Sequence, residues 1–141
     1  MEFHKILVPV IGTEAGEEAI RLACRLAKRN KGRIWAVYVV AVKRTLPLDA
    51  EIESETKKAE GILDHMEMVA EEQDCEIDTD LLQAREAGLA IVDEAVEREV
   101  DVIVMGITYK KRFGQFSLGN VAPYVLKNAP CSVILYHQPT A

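Results

Sequence analysis

The sequence predicts an α/β fold: a single doubly wound, five-stranded parallel sheet with helices on both faces. Three observations carry this. Short apolar runs rich in β-branched residues alternate with segments of helical periodicity, in the order βαβαβαβαβ. The runs at 5–10, 33–42 and 102–106 are apolar at nearly every position, as strands covered on both faces must be. The 141 residues, 49% hydrophobic and 28% charged, suffice for one buried core, so the whole chain, 1–141, reads as a single domain.

The first strand is KILVPV, residues 5–10. Pro9 cannot donate a backbone hydrogen bond, so it must mark the strand's end or a gap in its pairing. Gly12 and Thr13 turn the chain, and Thr13 can cap the next helix. Ala15, Ala19, Leu22, Ala23, Leu26 and Ala27 then share one helical face. Asn30-Lys31-Gly32 closes that helix, with Gly32 expected to take the left-handed conformation. After the second strand comes a loop over 46–49, with Asp49 the expected N-cap of a long helix. That helix has an apolar stripe at Ile52, Ala59, Ile62, Leu63, Met66, Val69 and Ala70, and an acidic outer face. Residues 75–82 alternate apolar and acidic, which predicts a strand with one wet face at the sheet's edge. A third helix over 87–99, a buried strand over 102–106, a short helix over 121–128 and a last strand over 131–136 complete the chain.

The net charge of -6 argues against binding DNA, RNA or anionic membrane, which require a surplus of Lys and Arg. No apolar run approaches the roughly 18–20 residues of a membrane span. The first residues enter a strand directly, without the layout of a signal peptide, so a cytoplasmic protein with no membrane insertion is expected. Cys24, Cys75 and Cys131 lie far apart, with no C-x-x-C, and read as reduced thiols acting as small hydrophobes. His4, His65 and His137 fall on separate elements, and the acidic stretch 49–80 lacks Ca²⁺-loop spacing. No catalytic residue and no metal ligand is therefore assigned.

One stretch remains: GITYKKRFGQFSLGN, residues 106–120. It starts where a buried strand ends and stops where a helix begins. Sites in doubly wound sheets form at the carboxyl ends of strands, where strand order reverses. The segments that should meet there are this loop and Pro9-Val10-Ile11-Gly12-Thr13. A helix N-terminus offers free N–H groups and partial positive charge to an anion. Pro123 belongs in the first helical turn, because its ring would clash with a helical carbonyl four residues back, and Asn120 is then the expected N-cap. Gly119-Asn120 either starts a helix and nothing more, or grips an anion. Neither the P-loop nor the dinucleotide glycine fingerprint is present.

Along its whole length the chain resembles a universal stress protein domain. The resemblance rests on Ile6-Leu-Val-Pro-Val10, on Asp101-Val-Ile-Val-Met-Gly106, and on Tyr124-Val-Leu-Lys-Asn-Ala-Pro-Cys131 before a Val-Ile-Leu strand. Arg85-Glu-Ala-Gly88 followed by Ile91 resembles the family's lead into its third helix. The resemblance implies the same doubly wound sheet, a homodimer paired through the last strand, and, in many members, ATP binding. ATP-binding members carry Gly, two residues, Gly, nine residues, Gly, then Ser or Thr. Here Gly106 and Gly119 match, while Tyr109 and Asn120 do not, and Ile11 stands where nucleotide-binding members usually place an Asp. By this correspondence the nucleotide would sit among Pro9, Val10, Ile11, Val39, Met105 and Gly106, with Tyr109, Gly119, Asn120 and Val121 completing the altered loop 106–121. Tyr109 could fill that space or stack on a base. Lys110, Lys111 and Arg112 could add charge or simply be solvated, and Phe113 and Phe116 could tuck the loop onto the body.

Three functions follow. One is a non-enzymatic homodimer that senses ATP or another adenine nucleotide, with Mg²⁺ only if nucleotide binds, and relays that state to a regulatory protein partner. The second is a ligand-free protein–protein interaction module whose nucleotide pocket is lost. The third, a slow ATPase, has the least support, since no water-positioning acid or metal ligand lies near the loop.

Overall fold

The computed structural model describes residues 3–112, 115–117 and 121–139, with the backbone alone for 109–112, 115–117 and 139. In chain order the elements are β1 (Lys5–Pro9), α1 (Glu14–Lys28), β2 (Arg33–Ala41), α2 (Glu53–Glu72) and β3 (Asp78–Ala84). Then come α3 (Ala87–Arg98), β4 (Val102–Arg112), β5 (Gln115–Ser117), α4 (Val121–Asn128) and β6 (Ser132–Pro139). Five strands are parallel, in the order β3-β2-β1-β4-β6. The chain winds outward from β1 to β3 and then returns to add β4 and β6 on the other side.

Strand alternation sorts the core into two layers. Ile6, Val8, Ile34, Ala36, Val102 and Val104 pack with Ala19, Ile20 and Ala23 of α1 and Leu63 and Met66 of α2. Leu7, Trp35, Val37, Ile103 and Met105 turn the other way, onto Ile91, Val92 and Ala95 of α3 and Ala122 and Val125 of α4. This is why the central strands lack a polar face. Each wholly buried side chain such as Ile6 or Ile103 contributes roughly 1.5–3 kcal/mol relative to exposure.

Thr13 caps α1 as expected, its Oγ1 accepting from the Gly16 N–H at 3.1 Å. The other end differs. Lys31, not Gly32, takes the left-handed conformation, with φ 52°. Gly32 is needed for space, since a Cβ there would lie 3.0 Å from the Phe3 carbonyl oxygen. Asp74 after α2 and Glu99 after α3 repeat this left-handed exit. Asp49 is not the cap of α2. Ile52 holds that position without a side-chain hydrogen bond. The preceding loop is instead tied to β3, where Gln83 Nε2 donates to the carbonyls of Leu48 and Ala50 at 3.0 Å.

The acidic strand does lie at the sheet's edge, but it starts at Asp78, later than the alternation suggests. Cys75 still donates its N–H to the Ala70 carbonyl, so the residues before Asp78 are used in leaving α2. The acids hold the edge in place. Asp78 pairs with Arg33 at 2.8 Å and Asp80 with Arg98 at 2.7 Å, and both guanidiniums lie over the Trp35 ring, 5.0 and 5.1 Å from its centroid.

The largest departure concerns the stretch expected to be a loop from Gly106. The strand runs on to Arg112 and returns antiparallel as β5, pairing Lys110 with Ser117, Lys111 with Phe116 and Arg112 with Gln115. Two causes act together. Ile107, Thr108 and Tyr109 favour extended backbone, and β6 runs to Pro139, beyond the predicted end at 136, supplying a ladder as far as Tyr109↔Pro139.

Candidate functional site

The site begins with a divergence of strands. β1 and β4 pair only at Ile6↔Val102 and Leu7↔Ile103. The Val10 N–H donates to the Val37 carbonyl on β2 at 2.9 Å. Neighbouring residues of a parallel strand bond to opposite sides, so the N–H that Pro9 lacks would point toward β4, where the ladder has already stopped. Proline is therefore tolerated inside the sheet here.

Between the parted strands lies a cavity of about 330 Å³. Pro9 at the end of β1 and Val10 and Ile11 after it border the cavity, with the α1 cap Thr13, Gly16 on α1, and Val37 and Val39 on β2. Met105, Gly106, Ile107 and Thr108 of β4, Ala87 and Ile91 of α3, and Val121 and Ala122 of α4 close it. The walls are mainly apolar, and the size falls in the range of about 300–1,000 Å³ usual for small-ligand clefts.

Of the residues put forward from the sequence, Pro9, Val10, Ile11, Val39, Met105, Gly106 and Val121 come together around this space. Gly119, Asn120 and the Tyr109 side chain lie outside the described residues. Thr13, Ile107 and Thr108, which lie in the two segments expected to meet here, also line it, whereas sequence reasoning missed Gly16, Val37, Ala87, Ile91 and Ala122. Val37 was recoverable, because it shares a face with Val39 two residues on. Ile91 was recoverable too, lying one helical turn beyond Ala87. Gly16 and Ala122 carry no signal of their own.

Gly106 has a clear physical role. A Cβ at this position would lie 2.0 Å from the Ala15 carbonyl oxygen and 2.7 Å from the Gly16 nitrogen. The first turn of α1 rests directly on β4, and only glycine allows it. Gly88 does the same for the opposite layer, where a Cβ would meet the Tyr124 ring at 2.9 Å. Ile11 stands at the rim, 71% exposed, and offers no hydrogen-bond acceptor through its side chain. Gly12 beside it has φ +90°, a turn that side chains resist.

The helix ends around the cavity are electrically unequal. α1 carries Glu14 and Glu17 in its first turn, which offset the positive end of its dipole. Glu14 also accepts a hydrogen bond from Gln138 Nε2 at 3.0 Å. α3 and α4 have no acid in their first turns, and the Glu86 side chain before α3 makes no capping bond, lying 3.8 Å from Arg44 instead. The first turns of α3 and α4 therefore offset their dipoles less than the first turn of α1 does. Among the described residues, no group of three His, Cys, Asp or Glu could hold a metal ion. His65 pairs with Glu17, joining α2 to the first turn of α1, and neither residue lines the cavity. Among the described residues no helix is long and apolar enough to cross a membrane.

Comparison with known proteins decides the family. The universal stress protein family model matches residues 2–137. The chain belongs to the universal stress protein family. A universal stress protein of Methanocaldococcus jannaschii is 36% identical over 143 residues, covering 97% of this chain and 84% of that protein. Among solved structures, the universal stress protein of Archaeoglobus fulgidus in complex with dAMP superposes with a TM-score of 0.74 at 22% identity, over 96% of this chain and 98% of that one. A universal stress protein in complex with cAMP gives a TM-score of 0.71 at 15% identity, over 97% and 98% of the two chains. These neighbours have the same five-stranded parallel α/β fold.

Proposed function

We propose that this universal stress protein binds an adenine nucleotide in the cavity between β1 and β4, and works as a non-enzymatic sensor of that ligand. The carrying observation is the cavity itself: apolar walls for a base, at the carboxyl ends of the strands, with two helix N-termini free of first-turn acids on one side. Family members solved with dAMP and with cAMP support the ligand class. In this reading Pro9, Val10, Ile11, Val39 and Met105 enclose the base and sugar, and the segment from Gly106 through Tyr109, Gly119, Asn120 and Val121 takes the phosphates. Mg²⁺ accompanies the nucleotide only through its phosphates.

With Ile11 at the rim, no carboxylate holds the sugar hydroxyls from that position, so AMP and dAMP bind with similar affinity. The protein acts as a homodimer joined through β6. β6 pairs with β4 alone among the described strands, and an open edge invites a second copy. The bound state is relayed to a regulatory protein partner. The ligand-free module is favoured by one observation: the close packing of Gly106 on Ala15 explains that glycine without a ligand.

Calorimetric titration of nucleotide-stripped protein with ATP and AMP, with and without Mg²⁺, separates the readings. Micromolar binding that weakens in Asn120→Ala or Gly119→Val supports the sensor. Absence of heat and of any thermal shift with either nucleotide leaves the interaction module. A mass in dilute solution equal to one chain removes the dimer.

A further inference from the structure

The three cysteines are far apart in sequence, but the fold brings two of them together. Cys24 lies on the inner face of α1 and is wholly buried, and Cys75, just beyond α2, packs against the same core cluster. The two thiols are neighbours, close enough to interact electrostatically. Their access differs. Cys75 lines an open groove of about 790 Å³ at the amino end of the sheet, beside Ala27 and Lys28, the residues one helical turn beyond Cys24. Cys75 is partly exposed in this groove, whereas Cys24 is sealed from solvent. Both are free thiols, and Cys131 is on another part of the chain, in the layer of α3 and α4.

We propose that Cys24 and Cys75 form an oxidisable dithiol, in which a hydroperoxide is reduced as the two sulfurs join in a reversible disulfide. In the first step the Cys75 sulfur attacks a peroxide oxygen. The O–O bond breaks, the departing oxygen leaves as water after taking the thiol proton, and Cys75 becomes a sulfenic acid. In the second step the Cys24 sulfur attacks the Cys75 sulfur. The S–S bond forms, the S–O bond breaks, and the hydroxyl leaves as water with the Cys24 proton. Two thiols lose two electrons and one molecule of hydrogen peroxide becomes two of water.

The assignment of roles follows from exposure. Burial, then the neighbouring Cys75, push the Cys24 thiol well above its ordinary range, with Lys28 acting weakly the other way. Cys24 is thus a poor first nucleophile and needs the activated partner beside it. The bond would tie α1 to the α2–β3 connection, at the opposite end of the sheet from the cavity.

The test is hydrogen peroxide added to the full chain, read by intact mass, thiol titration and peptide mapping. The wild-type protein should lose two hydrogens and two of its three thiols, yield a Cys24–Cys75 linked peptide, and recover both thiols in dithiothreitol. Cys24→Ala should instead accumulate a Cys75 sulfenic acid that dimedone traps. Cys75→Ala should leave Cys24 a thiol at the same dose. Retention of all three thiols in the wild type, a link through Cys131, or sulfinic acid at Cys75 with Cys24 still free would each overturn the proposal. Folding of each variant is checked by its thermal transition, and the wild-type mapping stands independently of both.

Discussion

The two ends of the parallel sheet contrast sharply. At the amino end lies the larger depression, about 790 Å³, bordered by Lys28, Lys31 and Arg33 and by five acids: Glu67, Glu71, Asp74, Glu76 and Asp78. At the carboxyl end lies the smaller one, about 330 Å³, with mainly apolar walls. Size alone would select the first. Physical chemistry selects the second. α1 and α2 finish at the amino end and point the negative ends of their dipoles there, among carboxylates, so an anionic ligand is repelled. At the carboxyl end the helices begin, and the divergence of β1 from β4 provides a concave space with mainly apolar walls. In the proposed reading, strand direction rather than the volume of a depression selects the end that takes the nucleotide.

The largest expected effect falls on Gly106. Gly106→Ala places a methyl 2.0 Å from the Ala15 carbonyl oxygen, in a contact between two backbones that cannot easily give. Urea unfolding should show a loss of about 3 kcal/mol or more. A well-folded Gly106→Ala protein would mean that α1 and β4 do not touch as described. Next comes Val39→Phe, which adds volume at the cavity wall. Nucleotide affinity should fall at least tenfold by calorimetry, with the Tm little changed. Glu71→Gln in the groove at the other end should leave affinity within a factor of two. Equal effects from the two substitutions would erase the distinction between the ends.

Thr13→Ala removes the cap on α1 and should cost about 1 kcal/mol, read from the urea midpoint. Asp101 gives a smaller, pH-dependent effect. Its carboxylate accepts the N–H groups of His4 and Lys5 at 2.8 and 2.9 Å, and these bonds hold its pKa below the ordinary carboxylate range. A depressed pKa stabilises the fold above the unfolded-state value and ceases to do so as pH falls through the folded one. Wild type should therefore exceed Asp101→Asn in stability at neutral pH, with the gap closing below about pH 4. Smallest of all, Glu99→Gly replaces a left-handed residue at φ 52° and should raise stability by only a few tenths of a kcal/mol, roughly, in the same unfolding experiment, because the backbone entropy of glycine offsets part of the relief.

Much of the fold was legible because its core strands are apolar on both faces, a pattern few other arrangements tolerate. Pro9 and Thr13 were legible because each acts through its own backbone or side chain. The hairpin of β4 and β5 was hidden, since its stability depends on β6, a partner some thirty residues away in sequence. Asp49 misled because the local signal for a cap was present, while Gln83 from β3 held that loop by other means. Within the cavity, side chains projecting from strand ends could be placed by their periodicity. Gly16 and Ala122 border it only through the way layers stack, which no local pattern encodes. The nearness of Cys24 and Cys75 is of the same kind.

The packing of Gly106 on Ala15 also bears on how such chains are read. A glycine required by the touching of two backbones will persist whether or not anything occupies the space beside it. Its presence at the head of a phosphate-binding pattern therefore carries almost no information about a ligand. A scan that scores the pattern position by position counts one architectural necessity as a functional vote. The informative letters are those that no backbone contact dictates, and Ile11, exposed at the rim, is one of them.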